Sequence, residues 1–314
     1  MRSYAIVGAG AVGGYYGAKL AHAGCDVHFL YHSEYEAVRR NGLQVKSPEG
    51  NLALAVNAYA RAQDMPKVDV VLVALKAAQT PLLAQILPHL LADSGVVLCL
   101  QNGLGNEDAI AQMEGVGERR VVAGAAFICS ERGEPGIVHH YSEGRLSIGP
   151  YFPGTAADLN GMIAGIAQDF AAAGVSCKVR PNGREVKWGK LIWNIPYSGG
   201  SLYYGAVPVD RIAGVPEREA FVKALMQEVM AAAESDGATI DARLPGQNLE
   251  ATRKMGAYKP SILVDYEKGR PMEVDCIFRE PLRRGMRGGF EMRQLAELVR
   301  GIERLLERKV SCED

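Results

Sequence analysis

YAIVGAGAVGGYYGAKLAHAGCDVHFL, residues 4–30, reads strand, glycine turn, helix, strand. Tyr4 to Val7 is a short apolar run, Gly8, Gly10 and Gly13 follow, a helical stretch stops at Gly24, and Asp26 opens a second strand that ends near Leu30. A GxGxxG string alone is a weak signal. Placed after a strand and at the mouth of a helix, it predicts a dinucleotide-binding turn. Gly8 permits the tight bend, Gly10 lets the backbone approach a pyrophosphate, and Gly13 lets helix and strand pack closely. The helix N-terminus offers amide donors to the phosphates, which makes Gly8, Ala9, Gly10, Ala11, Val12 and Gly13 the candidate cofactor-binding residues.

Working outward, DVVLVAL (69–75) and GVVLCL (95–100) are nearly continuous apolar runs, as expected of parallel strands covered on both faces. Between them TPLLAQILPHLLA predicts a helix that Thr80 caps and Pro81 opens. Strands alternating with helices build a doubly wound sheet, and ligands sit at the carboxyl ends of its strands. Lys76 and Asn102 follow two such ends and are placed to touch a cofactor. Each has a plainer reading: Lys76 as a helix entrance, Asn102-Gly103 as a turn.

From Val121 to Gly149 short strands alternate with turns at Pro135-Gly136 and Glu143-Gly144, which predicts an antiparallel extension of the sheet. A helix over roughly Ala156–Ala173 and a last strand, Ser176–Arg180, precede Pro181-Asn182-Gly183, where a domain boundary is expected. Beyond it the apolar spacing is helical almost to the end. The fold class that follows is α/β: residues 1–181 form a Rossmann-type doubly wound sheet, and residues 182–314 an all-helical domain for substrate and dimerisation.

The bulk properties agree with two ordinary globular domains, since 314 residues exceed what one core usually supports. A net charge of −1 provides no global field for nucleic acid or an anionic membrane, so the expected partners are a small molecule and a second copy of the chain. Cys25, Cys99, Cys129, Cys177, Cys276 and Cys312 are scattered without a CxxC pair, which argues against a zinc site or a disulfide framework and for a reducing, cytoplasmic setting. The opening MRSYAIVGAG lacks a secretory pattern, and no stretch approaches the ~20 apolar residues of a membrane span. His139-His140 point to opposite faces of a strand and predict no metal site, while the basic RRGMRGG around Arg283–Gly289 predicts a helix end or a solvated loop.

WGKLIWNIPYSGG (188–200) is the second informative stretch. It sets Lys190, Asn194 and Ser198 at spacings of four, one polar stripe on a helix among apolar neighbours. A surface lysine snorkelling from an amphipathic helix would give the same pattern, so would a polar ligand site.

Six stretches in order, GAGAVGG (8–14), LKAAQT (75–80), QNGLGN (101–106), EPGIVHH (134–140), WGKLIWN (188–194) and SILVDYEKGRPMEVD (261–275), resemble the ketopantoate reductase (2-dehydropantoate 2-reductase) family. The resemblance implies a C-terminal domain like that of 6-phosphogluconate dehydrogenase. It also implies NADPH-dependent reduction of ketopantoate, a 2-oxo acid, to pantoate for pantothenate and coenzyme A. By that resemblance Lys190 is the general acid, Asn194, Ser198 and Ser261 hold substrate, Glu273 faces cofactor and lysine, Asn102 touches both ligands, and Lys76 lies beside the nicotinamide ribose. The chemistry is sound in itself. Hydride addition puts negative charge on the ketone oxygen, and a cation that can donate a proton stabilises it. Burial or another cation would lower the lysine pKa toward neutrality, and Glu273 would oppose that shift.

Three departures from the family pattern bear on specificity. Ser198 stands where the stripe usually ends in asparagine, and Pro196 interrupts the helix. At the end of the second strand Leu30-Tyr31-His32-Ser33 carries neither the usual arginine for a 2′-phosphate nor the acid expected for NAD. NADP(H) remains the expected cofactor, with His32, Arg39 or Arg40 compensating. Two other functions stay open: reduction of a different branched or aromatic 2-oxo acid, and NADP(H) sensing without turnover.

Overall fold

The computed structural model describes residues 1–310, so Cys312 lies outside the described residues. Two compact units emerge: Met1–Gln101 with Asn106–Val186, and Asn102–Gly105 with Lys187–Asp314.

The first unit is built on β1 (Ser3–Val7), α1 (Ala11–His22), β2 (Asp26–Leu30), α2 (Tyr35–Asn41), β3 (Leu43–Lys46), β4 (Leu52–Leu54), β5 (Asn57–Tyr59), β6 (Val68–Val73), α3 (Leu83–Leu90), β7 (Leu91–Cys99), α4 (Asn106–Ala111), β8 (Val121–Arg132), β9 (Ile137–Pro150), α5 (Ala156–Ala172) and β10 (Cys177–Val179). One sheet runs β4-β3-β9-β8-β7-β6-β1-β2-β5, with β10 beside β9. From β5 to β8 every pairing is parallel.

Alternate residues of β1 enter opposite cores. Tyr4 and Ile6 pack with Ile163, Ile166 and Phe170 of α5, while Ala5 and Val7 pack with Leu83, Leu87 and Leu90 of α3 and Ile110 of α4. A strand buried on both faces has no polar side, which is why its sequence alternates so little. This is the expected doubly wound sheet.

Two local expectations need correction. Thr80 does not cap a helix that begins at Pro81: Ala77–Leu82 is a 3₁₀ turn, and α3 starts after it without a side-chain cap. The Thr80 side chain is buried and donates to Asn106 Oδ1 at 3.2 Å, a tertiary bond that outweighs the local one. Second, β8 and β9 are two long strands instead of several short ones. Glu143-Gly144 is not a turn but a bulge within β9, where Phe127 pairs Arg145 and Ile128 already pairs Glu143. Both residues have positive φ, 65° and 129°, which keeps the ladder intact on either side of the extra residue.

The second unit contains the end of α6 (Gly183–Trp193), a π-helical segment (Asn194–Gly199), α7 (Gly200–Tyr203), α8 (Pro216–Ser235), α9 (Leu244–Arg253), α10 (Ser261–Glu267), a second π segment (Asp275–Arg279), α11 (Glu280–Arg287) and α12 (Arg293–Val310). The spacing-of-four stripe on one continuous α-helix therefore breaks after Trp193. Pro196 has no N–H to offer the α ladder, and hydrogen bonds five residues apart absorb the defect. Packing holds the π segment: a Cβ on Gly199 would lie 2.7 Å from Leu298 of α12 and 2.8 Å from Phe278 of the second π segment.

The basic run on α11 is neutralised locally. Arg283 pairs with Asp275 and Glu280, Arg287 with Glu280, and buried Arg284 with Asp236 and Glu280. Among the described residues no helix is long and apolar enough to cross a membrane.

Candidate active site

In the first unit the β1–α1 turn assigns a separate physical task to each glycine. Gly8 has φ +95°, and a Cβ there would lie 2.5 Å from the Leu75 amide nitrogen, so the backbone after β6 fills the space a side chain needs. On Gly13 a Cβ would meet Gly8 O at 2.3 Å. Gly10 differs from both: a Cβ there meets nothing within 4 Å. A glycine that the protein's own packing does not require fits a position reserved for a ligand's close approach. The turn feeds α1, which has no acidic residue in its first turn to repel an anion. These features fit a dinucleotide pyrophosphate, with Ala9, Ala11 and Val12 supplying the intervening backbone.

The loops that follow β6 and β7 are tied to each other. Buried Gln101 donates through Nε2 to Leu75 O at 3.1 Å and to Thr80 Oγ1 at 2.9 Å, which fixes the strand ends around exposed Lys76. Beyond β2, Tyr31 is buried and His32 exposed. Glu34, the first acid after that strand, is already engaged by Arg132 at 3.0 Å and by the Gly136 amide at 2.9 Å. It is therefore committed to the β8–β9 hairpin and not to a ribose. Arg39 and Arg40 are exposed in the last turn of α2.

The second unit brings together three of the residues singled out in the sequence. Lys190 Nζ donates to Asn102 Oδ1 at 2.8 Å, and Asn102 Nδ2 donates to Glu273 Oε2 at 2.9 Å. Glu273 is 8% exposed, so it is no surface acid. Asn102 reaches this position because its loop is clipped to the second π segment: Leu104 N donates to Cys276 O at 2.9 Å, and Gly103, φ +76°, has no room for a Cβ against the same carbonyl. Asn102-Gly103 is thus a turn that also carries a hydrogen bond to Lys190.

The Lys190 pKa is lowered to about 8, by burial first and by Lys187 in the same sense, with Glu273 pulling the other way. Lys187 is the residue the sequence reading passed over. It is 3% exposed, one helical turn before Lys190 on α6. Its signal was there to be read, because i and i+3 share a helix face. Trp188, between them and fully buried, donates from Nε1 to Asp236 Oδ2 at 2.8 Å, and Arg284 holds the same oxygen at 2.9 Å. That bond fixes the rotation of α6 and with it the direction of both lysines.

Of the remaining candidates, Asn194 is half-buried at the start of the first π segment and Ser198 is buried near its end, 5% exposed. Ser261 is exposed at the start of α10, where Pro260, not Ser261, occupies the capping position. His140 is a structural residue: its ring lies 2.8 Å from Ser47 Oγ and 2.9 Å from Glu143 O and packs on Tyr15. Among the described residues no cluster of His, Cys, Asp or Glu is arranged to hold a metal.

Residues 4–152 match the family model described as ketopantoate reductase PanE/ApbA, and residues 182–304 match that of its C-terminal domain. A 2-dehydropantoate 2-reductase of Nostoc sp. is 40% identical over 296 residues, 94% of this chain and 92% of that protein. The crystal structure of a 2-dehydropantoate 2-reductase from Geobacter metallireducens superposes with a TM-score of 0.90 at 40% identity, covering 96% of this chain and 99% of that one. One from Methylococcus capsulatus gives 0.88 at 29% identity, covering 98% of each chain. The chain belongs to the ketopantoate reductase family, oxidoreductases that act on CH–OH groups.

Proposed function

We propose that this protein reduces the ketone of 2-dehydropantoate to pantoate with NADPH, with Lys190 as the proton donor. The observation that carries the proposal is the Lys190–Asn102–Glu273 chain, in which a lysine with a pKa of about 8 is held by a carboxamide. An ammonium carries three N–H bonds, and Asn102 accepts one of them. As the substrate oxygen becomes negative, Lys190 stabilises it by charge and then transfers the proton. Glu273 accepts from Asn102 Nδ2 and so orients the carboxamide that holds Lys190. Asn194, Ser198 and Ser261 hold the rest of the substrate in this reading. The backbone from Gly8 to Gly13, together with Lys76, binds the dinucleotide, whose nicotinamide supplies the hydride when bound. The preference for NADPH rests on the commitment of Glu34 elsewhere and on His32, Arg39 and Arg40 as the available basic residues. Residues 1–181 serve the cofactor, and residues 182–314 serve substrate and self-association.

The test is oxidation of NADPH and of NADH with a panel of 2-oxo acids, for the wild type and Lys190→Ala. The proposal expects turnover of 2-dehydropantoate with NADPH and a loss of about 10²–10⁴-fold in Lys190→Ala. Turnover of another 2-oxo acid alone would move the substrate assignment toward a larger side chain, for which Ser198 leaves room. NADPH binding with no turnover of any acid would make the protein a sensor.

A further inference from the structure

The loop after β2 lacks an arginine, yet the fold of the first unit delivers one to it from another strand. Arg132, the last residue of β8, places Nη1 3.0 Å from Glu34 Oε1, and Glu34 lies four residues beyond the end of β2. In a dinucleotide-binding unit an acid about 20 residues after the glycine turn meets the ribose 2′-hydroxyl of NAD, whereas an arginine in that neighbourhood accommodates the 2′-phosphate of NADP. Here the first acid after β2 grips an arginine instead. We propose that Arg132 binds the 2′-phosphate of NADP(H), with Glu34 as the positioning residue that holds its guanidinium beside the end of β2. This rests on the reading of NADPH as the cofactor.

Arg132 is held in place by the hairpin that follows it. Gly133 N donates to Ile137 O at 2.9 Å and Ile137 N to Glu134 O at 2.8 Å, which closes the tight connection between β8 and β9. Gly136 then docks in two directions: its amide donates to Glu34 Oε2 at 2.9 Å, and its carbonyl accepts from Gln44 N of β3 at 2.8 Å. The approach is close, since a Cβ on Gly136 would lie 3.1 Å from Gly42 O and 3.3 Å from Val38 of α2. The arginine therefore leaves a fixed strand end. That end is on the correct edge of the sheet, because β8 runs parallel to β7, and β7, β6, β1 and β2 run parallel in turn, so Arg132 emerges where nucleotides bind.

Glu34 does not use up the guanidinium. The Arg132 side chain is 55% exposed and its planar fork carries five N–H donors, so one edge can meet Glu34 while another meets a phosphate. A phosphate monoester carries about −1.5 to −2 charges at pH 7, more than the carboxylate it would share the fork with. Arg39 and Arg40 are exposed as well, but α2 carries them roughly 7–9 Å beyond Glu34 at 1.5 Å per residue. His32, in the loop itself, lacks the fork that grips a phosphate through two parallel bonds.

Binding to the cofactor-free protein tests this without turnover. Calorimetry measures the dissociation constants of NADPH, NADH and adenosine 2′,5′-bisphosphate for the wild type, Arg132→Ala, Arg132→Lys and an Arg39→Ala, Arg40→Ala double variant. We expect Arg132→Ala to weaken NADPH and adenosine 2′,5′-bisphosphate by about 10–100-fold and NADH by less than about threefold, so that the preference for NADPH collapses. Arg132→Lys, which keeps the charge and loses the fork, should fall between wild type and Arg132→Ala. The double variant should change the ratio of NADPH to NADH affinity less than Arg132→Ala does. An unchanged ratio in Arg132→Ala, or a larger change in the double variant, overturns the inference and leaves the NADPH reading standing. A purely structural role for the Glu34–Arg132 pair predicts equal weakening of NADPH and NADH, which also overturns it. A wild type that binds NADH as tightly as NADPH defeats the NADPH reading and the inference with it. Should Arg132→Ala fail to fold, Arg132→Gln is read in the same way.

Discussion

The glycine turn of the first unit and the lysine cluster of the second are the two candidate ligand sites, and they are built by opposite means. The turn is a matter of backbone room: Gly8 and Gly13 are required by atoms of the protein itself, and only Gly10 is left open. The cluster is a matter of charge out of water: Lys190, Asn102 and Glu273 come from stretches 88 and 171 residues apart and meet through two hydrogen bonds. Sterics can be written into a short string of sequence. Electrostatics of this kind arises only when the chain has folded.

The sharpest way to break that contrast is Gly8→Ala. The positive φ and the clash with Leu75 together should cost about 3 kcal/mol and abolish dinucleotide binding, as read by melting temperature and by titration with NADPH. Next in size is Asn102→Ala, which removes a bond that holds Lys190 and a partner of Glu273. It should lower kcat by about 10–100-fold and also weaken NADPH binding, because Asn102 is expected to touch both ligands; steady-state kinetics and direct binding measure the two together. Gly10→Ala tests the open position: the melting temperature should change little, whereas dinucleotide affinity should fall by roughly tenfold, since the added methyl meets only the ligand. A loss of stability as large as that of Gly8→Ala would erase the distinction between the two glycines.

A further expected effect concerns the cost of the cluster. The folded-state pKa of Lys190, about 8, lies below its ordinary 10.5, so the unfolded chain binds more protons between those values. Protonated Lys190 therefore destabilises the fold fully below about pH 8, and this destabilisation fades as pH rises toward 10.5. Lys190→Met should raise the melting temperature at pH 7 and gain less at pH 10. A lower melting temperature at pH 7 would mean that the amine stabilises the cluster.

Much of the first unit was legible because its signals are local. A strand buried on both faces has to be apolar throughout, and a turn without space for Cβ has to be glycine, so β1, Gly8 and Gly13 declare themselves. Thr80 did not, because a hydroxyl that looks like a helix cap is drawn to Asn106 and Gln101 by a bond no local rule contains. Glu143-Gly144 reads as a turn for the same residue preferences that make it a bulge, and only pairing with β8 separates the two. In the second unit the motif around Lys190 was visible, but Pro196 turns its regular spacing into a π segment whose side chains no α-helical periodicity places. Lys187 was missed because a lysine is ordinarily a surface residue, and nothing short of its burial says otherwise.

The most direct test of the account is the pH dependence of kcat/KM for 2-oxo acid reduction by the wild-type protein. With Lys190 as the proposed proton donor, the profile should be level below about pH 8 and fall tenfold per unit above it. A profile that stays level through pH 10 would contradict the assignment of Lys190 as the proton donor.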